Sequence, residues 1–214
     1  MLTSRHSQLQ ADDRILAVSA VSGPPFYIQK TILASVSKEL ADDLQPDKEG
    51  ICRLCTTTYE ALRIFIGWLL RYPIQSKSQE LLAQSWRFGA RYHIPAYQNE
   101  VMRQLVGVLR SQPVDVLAVR DAYVYTCDFE PQIADIIVKR DQLLRKAFVT
   151  QLASNSRVEY PWEGEQETYI KSGLHMNHDF HKNFSHAVCF GPYKHNSKRS
   201  GVRIEDLLVD EVKK

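Results

Sequence analysis

The sequence predicts an α+β fold: a small three-stranded sheet with a helical cluster, followed by an all-helical extension and an irregular tail. Two observations lead to this prediction. Three short β-type runs, near residues 15–21, 26–28 and 51–55, lie in the first quarter of the chain. From Thr56 onward, apolar residues instead recur at the spacing of amphipathic helices. Strands that precede a run of helices favour an α+β module over an alternating α/β sheet.

The first two β-type runs are predicted to form a hairpin near the edge of the sheet. Ile15 to Val21 is apolar and stops at Ser22-Gly23-Pro24-Pro25, a strong turn signal. Phe26-Tyr27-Ile28 then restarts extended structure. The two prolines favour an edge position, because proline cannot donate a hydrogen bond to a neighbouring strand.

Two short helices and a third strand follow in the prediction. Thr31 to Ala34 is expected to form a short buried helix, and Ser37 is suited to cap the next helix, which ends at Gln45-Pro46. Asp47 to Gly50 is expected to turn at the surface. Ile51 to Cys55 then forms the third strand.

A deeply buried helix opens the helical part. Thr57 and Glu60 match a capping box, and Tyr72-Pro73 ends the helix. One apolar face, at positions i, i+3, i+4 and i+7, consists of Leu62, Phe65, Ile66 and Leu69. A second apolar face consists of Ala61, Ile64 and Trp68. A helix that is apolar on two faces is expected to lie at the centre of the domain.

Further helices are predicted over Ser76 to Tyr92 and after three prolines. Pro95, Pro113 and Pro131 each suit the first residue of a helix, where the missing N–H costs nothing. The expected core face of the Pro95 helix consists of Tyr97, Val101, Leu105 and Val108. The expected core face of the last helix consists of Ile133, Ile137, Leu144 and Ala147.

Composition and charge exclude several classes of protein. The chain is 44% hydrophobic and 24% charged, as expected of a globular protein with a sizeable core. A mixed charge with a formal net value of +2 disfavours nucleic acid as a partner. No apolar run approaches the ~20 residues that span a bilayer, and Met1 to Asp13 lacks the apolar stretch of a secretory signal. We therefore expect no membrane association and an intracellular location, cytoplasmic or nuclear, with the four cysteines as thiols.

The order of these elements resembles the BTB/POZ domain, in particular that of fungal BTB-domain proteins. Pro25 to Ser37 is similar to the family's second strand and first helix, and Ile51 to Leu54 to its third strand. Tyr59 to Leu70 is similar to its buried helix. Arg87 to Asn99 is the most specific match, to the pattern aromatic-x-apolar-Gly-x-x-Tyr-x-apolar-Pro-x-apolar-x-Asn. The resemblance implies a BTB/POZ domain at 12–110, a helical extension at 111–153 and a loosely structured His-rich tail at 154–214.

The chain departs from the family pattern at a pocket found in many dimeric relatives. Gln29 stands where a His usually precedes the basic residue, and Asp13 aligns only loosely with the Asp that opens the first strand. The leader before that strand is polar and short. The sequence therefore leaves open whether the chain forms a homodimer.

The sequence contains two groups of possible metal ligands, and each also has an interpretation that involves no metal. Cys52 and Cys55 have ligand spacing, but they belong to a strand, where residues i and i+3 face opposite sides, so we expect a structural role. The tail gathers His175, His178, His181, His186 and Cys189, which offer the imidazole and thiolate groups that Zn²⁺ accepts. Phe180-His181 and Cys189 also resemble a degraded form of a segment that follows the helices in fungal BTB proteins. The other interpretation is a surface loop in which histidines gathered without a role.

The tail offers few other sites in this prediction. Trp162 and Tyr169 are expected to anchor it to the helices, and Ile204 to Val212 shows a short amphipathic pattern. The basic stretch from Lys194 to Arg203 suits either a solvated loop or a nuclear import signal.

These features together predict a non-enzymatic protein–protein interaction module, with a cullin-type ubiquitin ligase adaptor as the specific role that the resemblance implies. The alternative is a zinc-dependent nucleic-acid-binding regulator that uses residues 175–203. No nucleophile elbow and no Gly-rich phosphate loop is found in the sequence, so we expect no catalytic residues, no metal site and no cofactor. Tyr123, Tyr125 and Phe129 are candidates for a solvent-facing docking patch, although core packing is an open alternative for at least one of them.

Overall fold

A computed structural model describes residues 15–54, 57–124, 142–153, 170, 176–190 and 204–209. Its strands are β1 (Ile15–Ala20), β2 (Phe26–Gln29) and β3 (Ile51–Leu54). Its helices are α1 (Lys30–Val36), α2 (Lys38–Asp43), α3 (Tyr59–Leu69), α4 (Gln79–Arg91), α5 (Pro95–Ser111), α6 (Val116–Val124), α7 (142–153) and α8 (His178–Phe190), with a 3-10 helix at Ile204–Leu207. The predicted combination of a small three-stranded sheet with a larger set of helices is confirmed.

The sheet has the order β2-β1-β3. β1 pairs antiparallel with β2, so the predicted hairpin and its edge position are confirmed, and β1 pairs parallel with β3. Because side chains alternate along a strand, one face of the sheet meets the helices and the other faces outward. The residues of the inner face that are fully buried are Val18, Ala20, Ile28, Cys52 and Leu54.

Ser37 joins the first two helices, as its position predicts. Its backbone N–H donates to the Leu33 carbonyl at 2.9 Å and thereby closes α1. Its Oγ accepts from the Leu40 N–H at 3.0 Å and thereby opens α2. The same hydroxyl donates to the Tyr92 carbonyl at 2.7 Å, in a buried contact that ties this segment to the end of α4.

The central helix α3 begins one residue later than predicted. Thr58, not Thr57, is the N-cap, because the Thr58 hydroxyl accepts from the Ala61 N–H at 3.3 Å. The backbone of Thr57 is used elsewhere: its carbonyl accepts from Val21 N–H, and its own N–H donates to Leu54. The predicted inner face is buried at Leu62, Phe65 and Ile66, together with Ala61 of the second face.

Among the elements that the structure describes, α4 and α5 make the most extensive packed contact. Pro95 is the first residue of α5, and the predicted core face of this helix is fully buried at Tyr97, Val101, Leu105 and Val108. α4 is shorter than predicted, because Ser78 caps it by accepting from the Leu81 N–H at 3.2 Å.

Gly89 allows the close approach of α4 and α5. A Cβ at this position would lie 2.7 Å from Gln98 Cγ and 3.0 Å from Tyr97 Cδ1. The Tyr97 ring cannot retreat, because it packs 5.3 Å from Phe65 and 5.1 Å from Trp68 between ring centroids. A side chain at residue 89 would therefore push the two helices apart.

The later helices extend the same hydrophobic core. Val119, Leu144, Phe148 and Phe180, from α6, α7 and α8, belong to the same buried cluster as Val18 of the sheet. The described helices within 111–153 thus share a core with the segment that precedes them. The boundaries of the predicted helical extension stay predictions.

Two expectations for this region are wrong. Pro113 does not open α6, which begins at Val116; the Asp115 carboxylate instead accepts from the Leu117 N–H at 2.8 Å, as a cap does. The irregular tail predicted from 154 contains a regular helix, α8, that buries Phe180 and Phe184. Pro131, Ile133, Ile137, Trp162 and Tyr169 lie outside the described residues.

A pair of glycine substitutions tests the packing of α4 on α5. We expect Gly89→Ala to lower the free energy of unfolding by about 1–3 kcal/mol, because the added methyl group meets the fixed Tyr97 ring. The matched control is Gly107→Ala in α5, where a Cβ meets nothing within 4 Å. This control should raise the free energy of unfolding by about 0.5–1 kcal/mol through helix propensity alone. Urea denaturation measures both values, and equal effects of the two substitutions would contradict the packing account.

Candidate functional site

The outer face of the sheet carries exposed apolar side chains. Ala17 of β1 lies opposite Tyr27 of β2 and opposite Ile51 of β3, so the three residues form one row across the sheet. Tyr27 is 74% exposed, and Ile15, two residues before Ala17 on the same face, is 67% exposed. We call Ile15, Ala17, Tyr27 and Ile51 the sheet patch.

The charge beside the sheet patch is only partly compensated. Arg53 follows Ile51 on the same face, and its guanidinium contacts the carboxylates of Asp47 and Glu49, each at 2.7 Å. Ion pairs at such exposed positions contribute little to stability, and one guanidinium against two carboxylates leaves a net negative charge at this edge of the face. The apolar side chains beside this edge suit a surface that is buried against another protein.

A second group of exposed apolar side chains lies where α3 ends. Arg71 adopts the left-handed conformation with φ of 67°, and the Tyr72 N–H donates to the Gly67 carbonyl at 2.9 Å. This hydrogen-bonded turn fixes the backbone and leaves Leu70 and Tyr72 exposed, Tyr72 by 66%. We call Leu70 and Tyr72 the α3-end patch.

α3 begins against the sheet and ends at the α3-end patch. At the first residue of the helix, the Tyr59 ring stacks on Phe26 of β2 with 5.2 Å between centroids, next to the hairpin turn at Gly23. α3 has 11 residues. Because a helix rises 1.5 Å per residue, its far end lies roughly 16 Å from the Tyr59 end. The described residues thus offer two apolar surfaces on different elements, the sheet patch on the strands and the α3-end patch where α3 ends.

Tyr123 does not belong to a solvent-facing patch: it is 1% exposed, so that prediction is wrong for this residue. The Arg145 guanidinium lies 4.8 Å from the centre of its ring, and its hydroxyl accepts from Asn183 Nδ2 at 3.2 Å. Phe180 of α8 packs edge-on against the ring at 5.4 Å. The sequence did not reveal this burial because α7 and α8, which lie far along the chain, supply the cover. Tyr125 and Phe129 are outside the described residues.

Arg145 is the polar centre of this contact. Its side chain is 5% exposed, its Nε donates to the Ala122 carbonyl at 2.8 Å, and its Nη1 lies 3.9 Å from Asp179 of α8. A buried guanidinium needs such partners, because an unpaired buried charge is costly. The arrangement connects α6, α7 and α8, and we assign it a structural role.

The predicted dimer pocket is only partly described. Gln29 is exposed at the end of β2 and lies opposite Ile15. Asp13 is outside the described residues. Dimerisation through this pocket stays a prediction.

The histidines of the tail fall mainly on α8. His178 and His181 are exposed, and His186 and Cys189 belong to the same helix, whereas His175 is outside the described residues. Within the described part of the chain, no group of three or more His, Cys, Asp or Glu side chains is placed to hold a metal ion. Residues 178 and 181 are three apart on the helix, so they supply at most two neighbouring imidazoles.

Of the two cysteines with ligand spacing, the structure describes only Cys52, which belongs to β3. Cys52 is fully buried on the inner face of the sheet. Burial raises the pKa of its thiol, and the Asp47 carboxylate raises it further. This thiol is protonated at neutral pH and fills the core. Cys55 is outside the described residues.

One contact that the sequence did not predict joins the tail to α5. Asn99 is 3% exposed, its Nδ2 donates to the Val209 carbonyl at 2.9 Å, and its Oδ1 accepts from the Val209 N–H at 2.7 Å. The amphipathic pattern of Ile204 to Val212 was the available signal that this segment packs on the protein. Nothing local to Asn99 identified its partner, 110 residues away.

Comparisons with known proteins add no assignment. No protein-family model matches the chain, and no curated protein and no solved structure matches it significantly. Among the described helices, none combines the length and the apolar character that crossing a membrane requires.

Zinc analysis tests the alternative role of the histidine segment. We expect the purified protein to retain less than one equivalent of zinc after dialysis, because the exposed pair His178 and His181 supplies two imidazoles, whereas a structural zinc site takes four ligands. Inductively coupled plasma mass spectrometry measures the metal content. One tightly held equivalent that disappears in both His181→Ala and Cys189→Ala would contradict this expectation and favour the zinc-dependent regulator.

Alkaline denaturation tests the burial of the tyrosines. Burial raises the pKa of Tyr123 to about 12, and the pKa of Tyr97 also lies well above its usual value. The pKa of a tyrosine in the unfolded state lies near 10. When the folded-state pKa is higher, the group contributes stability below pH ~10, and this stability is lost as the pH rises toward the folded-state pKa.

Tyr97→Phe should therefore reduce the loss of stability between about pH 10 and 12. At pH 7 we expect the free energy of unfolding to change little, because the buried Tyr97 hydroxyl forms no hydrogen bond of normal geometry. Urea denaturation across this pH range measures the effect. Tyr27→Phe, at an exposed position, is the matched control. An alkaline loss that is identical in Tyr97→Phe and the wild type would contradict the account.

Proposed function

We propose that the chain is a non-enzymatic protein-interaction module of the BTB/POZ type. One observation carries the proposal: exposed apolar side chains lie on the outer face of the sheet and on the turn that ends α3, both parts with a hydrogen-bonded backbone. Tyrosine side chains on a rigid surface, such as Tyr27 and Tyr72, are among the groups that supply most of the binding energy in protein interfaces. The three-stranded sheet followed by buried helices is consistent with this fold family.

The more specific proposal is an adaptor of a cullin-type ubiquitin ligase. An adaptor must contact two proteins at once, and two separate patches meet this requirement. We assign the α3-end patch to the cullin-type scaffold, because Leu70 and Tyr72 sit on a turn with a fixed backbone. Pre-ordered side chains lose little conformational entropy on binding, so even a small patch can contribute substantially to affinity.

We assign the sheet patch to a second copy of the chain. The four side chains of the sheet patch carry no charge, and Arg53 offsets one of the two carboxylates at its edge, which limits the repulsion between two identical faces. A two-fold interface brings the same surface of both copies together, so a neutral apolar face is self-complementary. The protein would then be a dimer that presents two scaffold-binding turns.

Calorimetric titration with a purified cullin-type scaffold tests the adaptor proposal. We expect direct binding, and we expect Tyr72→Ser and Leu70→Ser each to weaken it at least about tenfold, as truncation of an interface anchor does. Met176→Ser is the matched control, since Met176 is an exposed apolar residue outside the patch. Circular dichroism confirms folding of each variant. If the wild-type protein fails to bind every scaffold tested, the adaptor role is wrong and only a general interaction role remains.

Light scattering after size exclusion tests the assignment of the sheet patch. We expect the wild type to elute as a dimer and both Tyr27→Asp and Ile15→Asp as monomers, because a charge buried in an apolar interface is costly. Tyr72→Ser is the control and should stay dimeric. A wild type that is monomeric at all soluble concentrations would overturn this assignment without affecting the scaffold proposal.

A further inference from the structure

The chain between α3 and α4 is an irregular segment that is attached to the protein on its inner side. Residues 72–78 belong to no helix or strand. Ile74 is 8% exposed and belongs to the hydrophobic core, and the Ser76 carbonyl accepts from Gln104 Nε2 of α5 at 3.0 Å. Lys77 follows directly and is exposed. The segment is therefore held at two points while its outer side faces solvent.

Arg71 and Lys77 give this surface a surplus of positive charge. Both side chains are exposed, and neither forms an ion pair with another described residue. The sequence contains no Asp or Glu between Glu60 and Glu80. Glu80 is engaged inside α4, where it accepts from Gln84 Nε2 at 3.2 Å. Carboxylates for the two positive charges are thus absent from this stretch of the chain.

Other exposed arginines in the described ranges are paired with carboxylates at 2.7 or 3.0 Å. They are Arg53, Arg63 and Arg103. The pair of Arg103 with Glu100 lies on α5 within one turn of Gln104, so it adds no net charge beside the segment. The surplus at Arg71 and Lys77 therefore contrasts with the compensated charges around it.

The two positive charges flank the α3-end patch. Arg71 lies between Leu70 and Tyr72 in the chain. Because consecutive Cα atoms are 3.8 Å apart, Lys77 lies at most about 19 Å from Tyr72. An extended partner segment of about six residues spans this distance. One such segment can therefore contact the two apolar side chains and both positive charges.

We infer that the α3-end patch binds an acidic protein segment in which carboxylates flank an apolar anchor. The anchor contacts Leu70 and Tyr72, and the carboxylates face Arg71 and Lys77. The inference rests on the proposed binding role of the α3-end patch and names the chemistry of its partner. Complementary charge accelerates association and excludes partners of the same sign. Nucleic acid is also negative, but exposed apolar side chains and the mixed charge of the chain favour a protein.

Nuclear magnetic resonance titration of the full chain with two synthetic hexapeptides tests this inference. The probe is Asp-Glu-Leu-Phe-Glu-Asp, and the control, Lys-Arg-Leu-Phe-Arg-Lys, has the same apolar pair with opposite charge. We expect the acidic peptide to shift the amide signals of residues 70–77 and to bind at least about tenfold more tightly than the control. Raising NaCl from about 0.05 M to about 0.3 M should weaken its binding, because salt screens exposed charges.

Variants of the two basic residues locate the effect. Arg71→Gly removes the charge and preserves the turn, because Arg71 has a φ of 67° and glycine adopts such values readily. We expect Arg71→Gly and Lys77→Glu each to weaken binding of the acidic peptide about two- to fivefold. Lys38→Glu reverses an exposed charge on α2 and is the matched control. The amide spectrum of each variant shows whether it is folded.

Preferential binding of the acidic peptide at residues 70–77, weakened by both charge variants and not by Lys38→Glu, supports the inference. Equal binding of the two peptides, binding of neither, or shifts at other residues would overturn it. A single-stranded oligonucleotide that binds the same residues as tightly would also overturn it. If the cullin-type scaffold binds while both peptides fail, the adaptor role stands and only the partner chemistry is wrong. If the acidic peptide binds and no scaffold does, the adaptor role is wrong and the partner chemistry stands.

Discussion

The contact between α4 and α5 at Gly89 is the constraint on which the rest of the structure depends. With no side chain at this residue, the Tyr97 ring and the Gln98 side chain lie against the α4 backbone. Tyr97 in turn packs on Phe65, near the middle of α3. One close approach therefore fixes the distances among the three helices that fill the core, and a well-packed core has little room for adjustment.

The corner between α4 and α5 carries this constraint outward. The Ile94 N–H donates to the Gly89 carbonyl at 2.8 Å, which closes α4 and starts α5 in a defined direction. At the same corner, the Tyr92 carbonyl accepts from Ser37 and the Tyr92 hydroxyl donates to Asp43 at 2.9 Å, so both ends of α2 are held against it. The α5 helix that leaves the corner supplies the amide that binds the tail. The segment from Arg87 to Asn99, which is the most specific match in the sequence, thus connects the sheet, the helices and the tail.

Features with a local physical cause could be predicted from the sequence, whereas features that depend on distant partners could not. Ser37 and Pro95 act through their immediate neighbours, and both occupy the predicted positions at the start of a helix. Tyr123 was a candidate for the surface, with core packing as the alternative, and the sequence could not decide between them because its cover comes from α7 and α8. α8 itself was missed because its polar and histidine-rich composition hides the spacing of Phe180 and Phe184. The role of Asn99 was out of reach, since an amide does not show in the sequence which backbone it will bind.

Native-state hydrogen exchange of the Ile94 amide tests the central claim most directly. If the α4–α5 corner holds the fold together, this amide becomes accessible only when the whole protein unfolds. The account predicts that its opening free energy equals the free energy of global unfolding and matches that of core amides in α5, such as Leu105. A much smaller opening free energy at Ile94, with Leu105 still fully protected, would show that the corner opens on its own and would contradict the account.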